Sequence, residues 1–259
     1  MTSTVRLCLL LCLPLAVNGI LTAPASAQTD AARPPTPPNA LDIRLSPVRE
    51  HVKRDEITHS KALTEVGVLA QDGYVLYGIE LHPTGDTEPA VKLALKQTAT
   101  VGEALRQIFD QLPGYRFETV SEHLINVYPE GAKDDAGDVL NTLISEFIVS
   151  NEPPGNVQAH PEDFMPELRK RLMPGAADLS PPFGRGLRSA GPGITLHLSG
   201  RTVREILNAV TEAQIVQMPP DWPPAGWLYV EKPDGTRCWS VHHSVLAGWK
   251  ERERARLGK

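Results

Sequence analysis

Apolar residues along this chain fall into two rhythms. Leu41, Ile43 and Leu45 alternate with polar neighbours, as do Val75, Tyr77, Ile79 and Leu81, and then Val91, Leu93 and Leu95. A period of two predicts half-buried strands, because successive side chains leave a strand on opposite faces. Between the first two runs, Leu63, Val66, Gly67 and Ala70 recur at helical spacing. They predict a helix over residues 56–71, stopped at Asp72-Gly73 where glycine takes a left-handed conformation cheaply.

One phrase is stated twice. Residues 100–112 read TVGEALRQIFDQL and residues 202–214 read TVREILNAVTEAQ. In each, the threonine hydroxyl can accept from a free backbone N–H while the glutamate three residues on reaches back to the cap, a reciprocal capping box. Behind the first box Val101, Ala104, Leu105, Ile108, Phe109 and Leu112 make an apolar face, and behind the second Val203, Ile206, Leu207, Val210 and Ala213 do. Each helix follows an alternating strand, Val91–Leu95 or Ile194–Leu198. YRFETV and HLINVY flank Ser121-Glu122 as a hairpin after the first, and Trp227–Val230 returns as a strand after the second.

A strand–helix–strand unit cannot bury its helix face alone and must rest it on a sheet. The expected fold class is therefore α+β, with two tandem small βαβ-type sandwich domains over residues 41–130 and 139–235. In the second, Phe147 and Val149 mark a strand and residues 162–172 a helix that either begins at Pro166 or is kinked there. Residues 173–193, rich in proline and glycine, read as a long inserted loop.

The two ends differ in composition. Residues 1–27 carry Arg6, the apolar run Leu7–Val17 and Ala25-Ser26-Ala27, which predicts a cleavable signal peptide. An uncleaved anchor is the alternative, but Pro14, Asn18 and Gly19 leave it no clean apolar span. The expected location is periplasmic or secreted, with no membrane span in the mature chain. Residues 28–40 form a proline-rich linker, and residues 236–259, ending in WKERERARLGK, are expected as a helical tail. A formal net charge of −5 argues against nucleic acid as a partner. Cys8 and Cys12 leave with the signal, so Cys238 has no intrachain partner.

Candidate chemistry is sparse. The sequence holds no nucleophile elbow, phosphate loop or zinc-protease helix, and no cofactor is expected. Cys238, His242 and His243 are the weak candidates for a metal, since a thiolate and imidazoles bind soft ions. The preferred reading is a packed cysteine beside two surface histidines. Asp134-Asp135 and Glu162-Asp163 read as solvated acids. Trp222, Trp227, Trp239 and Trp249 all lie near the end of the chain. Trp227 belongs to a core, whereas Trp222, inside PPDWPP, and Trp249 are candidate partner-binding anchors. Tyr74 and Tyr77 join them, on a strand whose open edge would accept a partner strand.

The segments LAQDGYVLYGIEL, VKLALKQ, TVGEALRQIFDQL and YRFETVSEHLINVYP, in that order, resemble the secretin and TonB N-terminus short domain. Residues 143–231 look like a second, more divergent copy. That family folds as two βα-type halves packed into a small α+β sandwich. Its members sit on the periplasmic side of outer-membrane channels and receptors, stack into rings or bind a regulatory partner, and catalyse nothing. The resemblance implies an exported protein-protein interaction module whose partner is an envelope protein or a second copy. No barrel or secretin core follows Val230, so a free-standing protein is expected. A ligand-binding protein or hydrolase, with its site between the domains, is the alternative.

Overall fold

The computed structural model describes residues 39–45, 53–70, 75–85, 88–95, 99–174, 191–219 and 222–244. The expected signal peptide, most of the expected linker and 173–193 loop, and the end of the expected tail lie outside them, as do Tyr74 and Trp249.

Two turns of the same build open the two halves. Asn39 Oδ1 accepts from the Leu41 N–H at 3.1 Å and starts a 3-10 turn over Ala40–Asp42. Asp138 Oδ1 accepts from the Leu140 N–H at 2.7 Å and starts another over Val139–Asn141. The chain then runs extended, and its carbonyls clamp the repeated helices. Ile43 accepts from the Val101 N–H at 2.9 Å, and Thr142 from the Val203 N–H at 3.1 Å. These N–H groups belong to a helical first turn, where no intrahelical acceptor exists.

In chain order the first half gives β1 (Lys53–Thr58), α1 (His59–Leu69), β2 (Leu76–Leu81), β3 (Ala90–Ala94), α2 (Val101–Phe109), β4 (Tyr115–Thr119) and β5 (Leu124–Pro129). The second gives β6 (Leu143–Glu152), α3 (Pro154–Ala159), α4 (Pro166–Leu172), β7 (Ile194–Thr202), α5 (Val203–Gln217), β8 (Gly226–Glu231) and β9 (Arg237–His242). Both capping boxes form: Thr100 with Glu103 on α2, and Thr202 with Glu205 on α5. Pro166 begins α4, where its missing N–H costs nothing.

β1 pairs with β3 and β6 with β7, each pair antiparallel. The remaining strands form one sheet in the order β4-β5-β2-β8-β9. β5 and β8 run parallel to β2 on either side, while β4 and β9 are antiparallel to their neighbours. The molecule is α+β, and its central sheet takes strands from both halves.

That sheet is covered on both faces. Tyr77, Ile79 and Leu81 point into one apolar cluster with Leu63, Val66, Leu105 and Ile108 of α1 and α2. Trp227 and Tyr229 point into a second cluster with Ile206, Leu207 and Val210 of α5. Strand alternation makes this division. Consequently every residue of β2 is buried, not every second one as the sequence pattern suggested. Gly78 is required there: a Cβ would fall within 2.5 Å of the Trp227 ring.

Three expectations are corrected. β2 is the centre of the sheet and offers no edge to a partner. Leu41 belongs to a turn, because the Asn39 side chain caps the backbone there. Residues 237–242, expected within a helical tail, are strand β9, paired along its length with β8.

Candidate functional site

A charged residue inside an otherwise apolar strand marks the first site. Glu80 of β2 is fully buried, and its arginine partner comes from the other half. Arg204, in the first turn of α5, brings Nη1 to 2.7 Å from Glu80 Oε2, although off hydrogen-bond alignment. Arg204 Nη2 also lies 3.3 Å from Asp138 Oδ2, and its guanidinium stacks over the Tyr128 ring at 5.6 Å. On the other side His82 Nε2 sits 3.0 Å from Glu80 Oε1.

Two carboxyl groups thus share one buried place. Burial alone would raise the Glu80 pKa, but the His82 hydrogen bond and the Arg204 charge outweigh it and hold it low. Asp138 takes the opposite course. Burial first, then its hydrogen bond to Glu80 and the Glu80 charge, push it up to about 7. His82 is raised by its hydrogen bond to Glu80. The pair therefore keeps a proton near neutrality, with Glu80 as the ionised member. Asp138 and His82 line an open cleft of about 500 Å³ with Pro129, Gly131, Asp135 and Glu231. A carboxyl poised near neutrality suits proton exchange or a cationic ligand, but no serine, threonine or cysteine lines this cleft among the described residues.

The second site holds two residues singled out from sequence, Trp222 and His243. Trp222, with Pro154, Gly155, Gln158, Gln214, Pro223, Ala225, Val241 and His243, walls a cavity of about 190 Å³. Gln214 and Gln158 form its polar side. Gln214 exchanges two hydrogen bonds with the Ala225 backbone, at 2.9 and 3.0 Å, and Gln158 Nε2 also donates to the Ala225 carbonyl at 2.9 Å.

The other candidates separate. Cys238 is exposed, while His242 is buried against the Tyr77 ring, with Nε2 3.1 Å from Thr64 Oγ1 and 3.2 Å from the Ser60 carbonyl. His243 is exposed. The packed cysteine and the surface His242 are thus both corrected. Cys238 and His242 share a strand face but stand four residues apart, about 13 Å along the strand. Among the described residues no group of three His, Cys, Asp or Glu side chains could hold a metal ion. Tyr77, expected on a partner-binding strand, is fully buried and contributes to the core instead. Trp227 is core as expected, and Trp239 stacks on Tyr229 with centroids 4.4 Å apart.

No family model, curated protein or solved structure matches this chain. No helix among the described residues is long and apolar enough to cross a membrane.

Sequence reading missed the Glu80–Arg204–Asp138 cluster. One signal was present, an arginine where the first capping-box helix has Gly102, whereas Glu80 fell on the polar side of the YVLYGIEL alternation. Their convergence depends on β8 joining β2, which local pattern does not encode.

Proposed function

We propose that this chain is an exported, non-catalytic interaction protein of the bacterial cell envelope, built from two divergent copies of a domain like the secretin and TonB N-terminus short domain. The paired features that support duplication are the Asx-capped turns, the clamped helix starts and the two capping boxes. In this reading the halves have merged across β2, so the second copy lends its hairpin to the first copy's sheet.

The observation that carries the interaction reading is β6. It is ten residues long and pairs with β7 on one side only. Leu143 and Ile148, 63% and 58% exposed, are on it. Long edge strands with exposed apolar side chains are templates for strand addition, and proteins normally blunt them. The comparable edge of β3 is blunted here. Gln111 accepts from the Lys92 N–H at 2.8 Å and donates to its carbonyl at 2.7 Å, and Gln107 does the same at Ala94 at 2.9 and 3.2 Å. On β6, Glu167 caps the Ser145 N–H at 2.9 Å, leaving Ile148 beyond that cap.

The partner is an envelope protein that adds an extended segment to β6, with self-association through the same strand as the competing outcome. Leu143→Lys and Ile148→Lys place charge on this strand without touching a core. Each should abolish capture of the partner by the folded, exported chain. Capture that persists in both would remove β6 as the binding strand.

A second reading, a ligand-binding protein with its site between the halves, is favoured by one observation: Asp138, with its pKa near 7, opens onto the cleft beside His82. Binding of a cationic ligand that weakens in Asp138→Asn would support it.

A further inference from the structure

The two outer sides of the β6–β7 pair are not equivalent. On β7, Gln217 of α5 accepts from the Thr195 N–H at 2.8 Å and donates to the Thr195 carbonyl at 3.2 Å. That is the double contact Gln107 and Gln111 make on β3, and it closes the β7 side. On β6 the closures stop short. Glu167 accepts from the Ser145 N–H at 2.9 Å. Further along, Asn151, at a left-handed φ of 51°, turns its N–H to Thr195 Oγ1 at 3.1 Å. An added strand therefore meets β6 between these two devices, over residues 146–150.

The two faces of that stretch differ. Phe147 and Val149 are buried in the second apolar cluster. The opposite face carries Glu146 and Ile148. His197 of β7 stands directly across from Ile148, with Nε2 3.2 Å from Glu146 Oε1, and all three side chains are more than half exposed. Charge on the strand has one sign: LISEFIVSNE holds Glu146 and Glu152 and neither lysine nor arginine. Glu167 adds a third carboxylate at the start of the open stretch. Against these stands Lys170, exposed on α4. The other cations of that helix are committed elsewhere, Arg169 to the Glu162 carbonyl and Asp163, and Arg171 to Thr142 Oγ1 and the carbonyls of Ala136 and Gly137.

We infer that the segment β6 receives is a short basic strand, with an aliphatic residue beside Ile148 and a lysine or arginine beside Glu146. This rests on the reading of β6 as the binding strand and names the chemistry of its partner. Opposite charges directly across a strand pair stabilise it, and like charges destabilise it. A second copy of this chain would set one acidic strand against another, so the fit is to a different protein. On its other face the segment needs small or β-branched residues, which extend the sheet past Phe147 and Val149.

The probes are an end-blocked peptide, Ser-Lys-Val-Ile-Val-Lys-Ser, and the same peptide with glutamate for both lysines. Each reads alike in either direction, so no strand polarity is assumed. In NMR titrations of the full mature chain at low ionic strength, the lysine peptide should bind about tenfold more tightly, with amide shifts centred on residues 146–150. The preference should shrink as salt rises. Glu146→Lys, with an unchanged melting temperature, should reverse the order of the two peptides. Equal affinities, or an order that Glu146→Lys leaves unmoved, would overturn the basic partner. Binding of neither peptide, with cellular capture still lost in Ile148→Lys, would overturn it too while β6 remained the binding strand. Amide shifts confined to another surface would remove β6 itself.

Discussion

Arg204 Nη1 lies 2.7 Å from Glu80 Oε2, and the two residues, nearly and fully buried, come from opposite halves of the chain. Arg204 also reaches Asp138, so one guanidinium serves two carboxyl groups. Removing it leaves Glu80 ionised in the core beside Asp138, with only His82 to offset its charge. Arg204→Met should therefore destabilise the fold by about 3–5 kcal/mol. Adding Glu80→Gln should restore much of that loss. Urea denaturation of the two variants measures both effects. If the single variant melts like the parent, the pair does not hold the halves together.

The Asp138 carboxyl gives a second, pH-dependent prediction. Its pKa is about 7 in the folded chain against 3.8 ordinarily, so between those values the folded state binds more protons than the unfolded state. Stability from this group is full below about pH 4 and is lost as pH rises toward 7. Asp138→Asn keeps the cap, since Asn39 performs the same task in the first turn. The variant should gain on the parent at pH 8 relative to pH 5. A parallel pair of pH–stability curves would contradict the shared-proton account.

Two buried histidines act in the opposite sense. His59, whose two ring nitrogens lack partners, and His242 are buried, and burial lowers both to about 4 from 6.5. Their stabilising contribution is full above pH 6.5 and falls away as pH drops toward 4, by up to about 3 kcal/mol for each. His59 sits edge-on to Phe109 and Tyr115, so phenylalanine fits its surroundings. His59→Phe should move the acid-unfolding midpoint to lower pH. An unshifted midpoint in circular dichroism would exclude His59 as a cause of acid lability.

The capping boxes supply a fourth test. Thr100→Ala and Thr202→Ala should each cost about 1 kcal/mol, because each frees an N–H in a helical first turn. Similar losses at both positions, read from denaturant midpoints, are expected if the two helices do equivalent work. A cost at only one would separate them.

The elements legible in the sequence are those whose causes are local. Threonine and glutamate three residues apart gave both helix starts, and the alternation of Val91 and Leu93 gave β3. What escaped has distant causes. β1, reading KRDEIT, has little alternation and forms because β3 lies beside it. β9, reading RCWSVH, is a strand because β8 offers an edge. The Asx turns read NALD and DVLN, identical only at the leucine, so the match emerges from geometry. Glu80 sat at a polar position of the alternation and gave no warning, and its partner Arg204 was not legible either, since the 123 residues between them decide where α5 packs.

The central claim is that β6 carries the binding strand. Its most direct measurement places a photoreactive residue at Ile148, and another at Lys92 on the amide-capped β3 edge, in tagged mature chains exported in intact cells. Irradiation should join position 148 to one reproducible envelope protein or a second copy, and Ile144 should remain protected from exchange in the purified adduct. Position 92 should give neither adduct. Adducts from position 92 alone, or none from position 148 in a folded exported chain, would contradict the account.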